Sequence, residues 1–262
     1  MKNIKKIVCL FLVLCMSQAV AIAQESLAFK DGEKLTFTAS YKVSGLMTEL
    51  AQVSMETSEV KTSSSTLLHF KCRANTYKKL DAFFKIRDVY ESYVSKYSLL
   101  PLLYKRDIQE GGYKKKMKYV YNQKTKTIKS TQTKRRGNGT DWVQDKNFSF
   151  SSGAMDVVST LYNLRNLPIE NAKIGDTKTF KILFDREETS ITIKFVGKET
   201  IRAGNLGQKE CYKLQVLTSG DFLKSGTLWL TADANKIPVQ ARFTIPIGSG
   251  TLQLTNATGL AN

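Results

Sequence analysis

LWLTADANKIPVQARFTIPIGSGTLQLTNA, residues 228–257, reads as three short strands joined by two tight turns. Asp233, Ala234 and Asn235 supply the first turn, and Gly248, Ser249 and Gly250 the second, residue types that accept turn geometry at little steric cost. After Pro238, the residues Val239, Ala241, Phe243 and Ile245 alternate with polar neighbours and so face one way. The same alternation recurs upstream. In residues 33–43, Leu35, Phe37, Ala39, Tyr41 and Val43 oppose Thr36, Thr38, Ser40 and Lys42. It returns at Leu68, Phe70, Cys72 and Ala74, and at Met117, Tyr119 and Tyr121. Further runs follow at Phe180, Ile182 and Phe184, at Ile191, Ile193 and Phe195, and at Tyr212, Leu214 and Val216. Period-two patterning over so many short runs predicts half-buried antiparallel strands. Roughly a dozen strands linked mainly by hairpins predict an all-β fold, a strongly curved antiparallel sheet or open β-barrel, since closure hides sheet edges.

One segment departs from this period. Across residues 153–165, Ala154, Val157, Val158, Leu161 and Leu164 fall at helical spacing, with Ser152 placed as N-cap, Asp156 in the first turn and Pro168 beyond the end. A single helix of about three turns is expected, covering one side of the curved sheet. Residues 185–190 read as a polar hairpin link containing Glu187 and Glu188.

Residues 1–23 have the form of an export signal. Lys2, Lys5 and Lys6 precede an apolar run over residues 7–16, and Ala21 and Ala23 place cleavage before Gln24. That apolar run is shorter than the roughly 20 residues a membrane span requires. A lipoprotein leader cut at Cys15 fits less well, because Leu12, Val13 and Leu14 lack the small residue expected before an acylated cysteine. Residues 24–262 are then one β-barrel-like domain, exported or periplasmic and soluble after cleavage, with no transmembrane segment remaining. Cys72 and Cys211 are the two cysteines beyond the leader, both in strand-like runs. In an oxidising compartment they form a disulfide or stay as two buried thiols, and the spacing alone leaves both readings open.

The chemistry-bearing residues are sparse. The chain has one histidine, His69, on the polar side of its strand, and no serine in a nucleophile-elbow motif. Zinc ligands at matched spacing and a phosphate-binding glycine loop are both missing from the sequence, so no cofactor or metal is expected. The carboxylate pairs Glu187 with Glu188 and Asp107 with Glu110 sit in or near expected turns, where acids are ordinarily solvated; a glycan-acting hydrolase built on them ranks last. The chain is therefore read as a non-enzyme. Its formal charge is +17. Residues 113–136 carry ten Lys and Arg and no acid, interleaved with Tyr113, Tyr119 and Tyr121. Export removes nucleic acid from consideration and leaves lipid headgroups, acidic polysaccharide or the envelope surface as anionic partners. Lys114, Lys115, Lys116, Lys118, Arg135 and Arg136 are the candidate anion-binding residues; the competing reading is a charged edge hairpin that blocks aggregation.

Three stretches in order carry a resemblance. They are Asp31-Gly32-Glu33 with Leu35, Phe37 and Tyr41; Asp156, Ser159, Leu161, Tyr162, Leu164 and Arg165; and Leu228, Trp229, Asp233 and Pro238. Together the chain resembles a bacterial exported family catalogued as domain of unknown function 3108. That resemblance implies a curved, mostly antiparallel sheet or open barrel in the cell envelope, with no assigned activity. The last hairpin is also similar to one in periplasmic lipoprotein carriers, whose half-open barrels hold acyl chains. The leading functional expectation is a non-enzymatic module that binds a lipid or lipoprotein acyl chain in a partly open groove lined by Phe37, Tyr41, Val239, Phe243 and Ile245. One short helix offers too few apolar side chains to cover so long a sheet. The second expectation is envelope assembly or polysaccharide association through residues 113–136.

Overall fold

The computed structural model describes residues 27–43, 46–135, 139–218, 225–245 and 248–262. Among the described residues, fifteen strands form one sheet. The first eight are β1 (Lys34–Val43), β2 (Leu46–Lys61), β3 (Thr66–Thr76), β4 (Arg87–Ser95), β5 (Pro101–Glu110), β6 (Tyr113–Asn122), β7 (Thr127–Arg135) and β8 (Asp141–Ser149). They pair in sequence as an antiparallel meander. The two-residue strand β9 (Met155–Asp156) and helix α1 (Val157–Arg165) follow. A second meander contains β10 (Thr177–Phe184), β11 (Glu187–Arg202), β12 (Gln208–Thr218), β13 (Ser225–Thr231), β14 (Pro238–Ile245) and β15 (Gly248–Thr258). β15 returns to pair with β1 and joins the two meanders. β9 runs parallel to β10, leaving β8 and β9 as the two edges of an unclosed, curved sheet. The described residues adopt the expected all-β class with one short α-helix.

The two-residue turn between β10 and β11 bridges the opening. Asp185 and Arg186 both have positive φ, 48° and 72°, the mirror-image turn that matches strand twist but that Asn and Gly normally occupy. Asp185 accepts hydrogen bonds from the buried Arg106 on β5 and, at 2.6 Å, from Lys115 on β6. The Arg186 backbone N–H donates to the Tyr119 hydroxyl at 2.6 Å, and its guanidinium donates to Ser130 and Gln144. Side chains thus complete across β5–β8 what the backbone ladder leaves open. Glu187 and Glu188 belong to β11, not to a turn as the sequence predicts, because only two residues make the reversal.

Helix α1 lies inside the curve. Its N-cap is Asp156, whose carboxylate accepts the Ser159 N–H at 2.9 Å, rather than Ser152. The reason is the bridge of Met155 and Asp156 to Ile182 and Leu183, which holds the chain extended up to Asp156. Tyr162 stacks on Phe70 of β3 with centroids 3.8 Å apart, and Phe29 meets both rings edge-on. Ser159, Thr160 and Arg165 are buried as well, while Leu161, expected in the core, is 36% exposed. A helix enclosed on most sides does not follow the simple one-face pattern. The 27–33 segment enters the same interior and supplies Ala28 and Phe29.

This packing corrects the groove expectation. Phe37 and Val239 are fully buried in the core that contains Phe29, Phe70 and Tyr162. Tyr41 and Phe243 are half-buried and lie over Gly248 and Gly250, where a Cβ would come within 2.3 Å of the Tyr41 hydroxyl and 2.4 Å of the Phe243 ring. The side chain of Ile245 lies outside the described residues. The concave face is filled, because Leu27, Ala28 and Phe29 pack there in addition to the helix side chains.

Candidate functional site

The C-terminal residue of α1 anchors the interior. The Arg165 guanidinium donates to both Glu33 carboxylate oxygens, at 2.6 and 2.8 Å, and both side chains are completely shielded from solvent. Its remaining donors reach the Ala28 carbonyl at 2.8 Å and the Asn235 carbonyl at 3.0 Å. Asn235 is set by the β13–β14 turn, where the Asp233 carboxylate accepts the Asn235 and Lys236 N–H groups and the Thr231 hydroxyl. A bidentate arginine–carboxylate pair in which each guanidinium nitrogen has an acceptor is the arrangement in which a buried charge is tolerated.

Beyond Arg165 the chain turns back over the sheet and leaves a hollow of about 250 Å³. Leu167, Pro168, Ile169 and Ala172 form one wall, and Ile193, Phe195 and Leu214 the other. Asp176, Thr177 and Lys178 line its end at the start of β10. The lining is mostly apolar and continuous with a second core cluster that holds Leu164, Phe180, Tyr212 and Leu228. Lys178 is exposed and has no carboxylate partner among the described residues. Ile174, at the same segment, is 75% exposed.

Three stretches far apart in the sequence therefore meet at one ion pair: Glu33 from the first, Arg165 from the second, Asp233 and its turn from the third. A family model described as protein of unknown function, DUF3108, matches residues 36–255. The chain belongs to this family. A DUF3108 chain is also similar in structure to a beta-barrel-like protein of domain-of-unknown-function family DUF1849 from Brucella abortus. The TM-score is 0.53 at 7% identity, covering 88% of this chain and 98% of the other. At that identity the likeness shows the fold alone. No curated protein matches the chain.

The candidate anion-binding residues separate in this DUF3108 structure. β6 alternates, so Lys114, Lys116 and Lys118 are exposed while Lys115 is buried and turned to Asp185. Lys116 pairs with Asp107 at 3.0 Å and Arg135 with Asp141 at 3.1 Å. Arg136 lies outside the described residues, as does the segment 1–23 expected to be an export signal. The competing expectation, a charged edge hairpin, does not hold for β6 and β7; β8 is the edge, carrying Asp141, Asp145 and Lys146. Cys72 and Cys211 are free thiols rather than a disulfide. Five strands, β2, β1, β15, β14 and β13, stand between theirs in the sheet, at about 4.8 Å per strand along its arc. His69 is committed locally: its ring lies 3.0 Å from Glu91 and stacks on Tyr93 at 4.2 Å. The hollow and the Asp185–Arg186 bridge are the features the sequence reading misses. The run Leu167-Pro168-Ile169, apolar just past a helix, was the available signal for the hollow.

Proposed function

We propose that this DUF3108 protein is an exported, non-enzymatic envelope component that holds the apolar end of an amphiphile, a lipid or lipoprotein acyl chain, in the hollow behind α1. The observation that carries the reading is the apolar lining with Lys178 at its end. At roughly 30 Å³ per water-sized group, the hollow takes about eight such groups. That is slightly below the usual range for ligand pockets, about 300–1,000 Å³, and suits a chain end rather than a whole lipid. Export is supported by the leader-like residues 1–23, and the non-enzymatic part by the engagement of the single histidine with Glu91, Ser58 and Tyr93.

The test is uptake of a fluorescent fatty-acid analogue by delipidated protein. Ala172→Phe fills the hollow and should abolish uptake, while Lys178→Glu should weaken it and shift preference away from anionic heads. Absence of uptake by the parent protein, or uptake undiminished in Ala172→Phe, sinks the reading.

A further inference from the structure

The β3–β4 connection presents two phenylalanine rings to solvent. Phe83 is 86% exposed and Phe84 53% exposed. Large apolar side chains placed side by side on a surface ordinarily mark an interaction site. The loop is held in place on all sides. Asp81 accepts from the Thr76 hydroxyl at 2.7 Å and from Arg87; Arg87 also donates to the Thr76 and Ile86 carbonyls. The Phe83 and Phe84 N–H groups both donate to the Leu80 carbonyl, at 3.0 and 3.1 Å. Neighbouring hairpins brace it: Tyr77 N–H donates to the Leu50 carbonyl, and Gly111 N–H to the Lys85 carbonyl. The β1–β2 hairpin adds Leu46, 74% exposed, and Met47, 50% exposed, at the same end of the sheet.

The net charge around these rings is positive. Lys78, Lys79 and Lys85 are exposed on the loop, whose one acid, Asp81, is already taken by Thr76 and Arg87. The adjoining hairpins contribute Glu49 and Glu110 against Lys42 and Lys114, which leaves the three loop lysines uncompensated.

We propose that this end of the sheet docks on an anionic lipid bilayer, with Phe83 and Phe84 entering the acyl boundary and Lys78, Lys79 and Lys85 meeting headgroup phosphates. Lysine is depleted from the cores of protein–protein interfaces, whereas a bilayer accepts apolar rings and cations in adjacent layers. The ordered loop presents the rings without a folding step at the surface. This surface is separate from the hollow, which lies at the start of β10; Phe184, at the other end of that strand, adjoins the turn that contacts Arg106 and Lys115.

The experiment is flotation of the purified protein with vesicles of phosphatidylcholine alone or of equal parts phosphatidylcholine and phosphatidylglycerol. Binding is expected to the anionic vesicles and to fall with added salt, since surface charges are screened. Each lysine near the surface strengthens partitioning about fivefold, so Lys78→Gln with Lys79→Gln and Lys85→Gln should weaken it by roughly 100-fold. Phe83→Ser with Phe84→Ser should weaken it by about tenfold or more without lowering the melting temperature. Phe83→Trp supplies a readout that keeps the ring: its emission should be quenched by brominated lipid. Equal binding to neutral vesicles, no binding, or binding unchanged in the variants overturns the proposal. So does a dimer that the serine variant dissociates, which would make this face a contact between copies. Loss of vesicle binding in Ala172→Phe would assign the attraction to the hollow instead.

Discussion

Arg165 and Glu33 stand 132 residues apart in the chain and face each other across 2.6 Å with neither side chain exposed. The pair ties the strand that opens the sheet to the end of the only α-helix among the described residues, and through Asn235 to the last hairpins. Breaking one side of such a pair strands the other charge in the interior. Glu33→Gln should cost about 3–5 kcal/mol of unfolding free energy, read by urea denaturation. Joint replacement, Glu33→Leu with Arg165→Met, should recover most of that loss. A joint variant as unstable as the single one would mean that the hydrogen bonds to Ala28 and Asn235 carry the effect.

Asp156 should make the protein less stable as pH rises from about 4 to 6. Burial pushes its carboxyl up to about 6, against the hydrogen bonds from Ser159 and Ser92 that favour the charged form. A carboxyl raised in the folded state contributes stability that is complete below its unfolded value and is lost as pH passes its folded one; two units correspond to about 3 kcal/mol. Asp156→Asn keeps an N-cap acceptor and should flatten that slope, leaving a variant at least as stable at pH 7. A variant with the parent's slope would place the titration elsewhere.

Asp185 should act with the opposite sign. Burial raises its carboxyl, but the hydrogen bond from Lys115 and the charge of Arg106 outweigh it and hold the group below the ordinary carboxylate range. Its contribution is present above the unfolded pKa and disappears as pH falls through the folded one. Asp185→Ala leaves Arg106 and Lys115 buried without their acid and should destabilise by about 2–3 kcal/mol, allowing for the half-exposed carboxylate. Faster hydrogen exchange in β5 and β6 would locate the opening.

Trp229 is 2% exposed and its indole N–H donates to Glu199 at 3.1 Å. Trp229→Ala should lower stability by about 3–5 kcal/mol in thermal or chemical unfolding. An unchanged midpoint would contradict its place in the core.

The two thiols should resist alkylation in the native protein and react fully in urea without reductant. Burial pushes Cys72 up to about 12 and Cys211 up to about 11, so neither supplies appreciable thiolate near neutrality. Labelling that required prior reduction would establish a disulfide.

Alternation at Leu35, Phe37, Ala39 and Tyr41, and again along β3, β6, β10 and β12, specified antiparallel strands, because a period of two is a local property of the backbone. The lone helical stretch ending at Arg165 and the turn residues at Asp233 were legible for the same reason, whereas Gly248, Ser249 and Gly250, expected to form a turn, open β15 and pair with Ile245, Thr244 and Phe243 of β14. Residues 33, 165 and 233 could be recognised as parts of one pattern, but nothing local told that Glu33 and Arg165 touch. Contact between distant segments depends on how the sheet curves, and that brought the 27–33 segment and α1 together and filled the expected groove. The Asp185–Arg186 turn shows the same division. Asp185 tolerates positive φ, but Arg186 has no local preference for it, so the partners on β5–β8 hold that residue in its conformation. Local periodicity determined the strands and the helix; the path of the sheet decided which faces are packed, which lysine is buried, and where an apolar hollow remains.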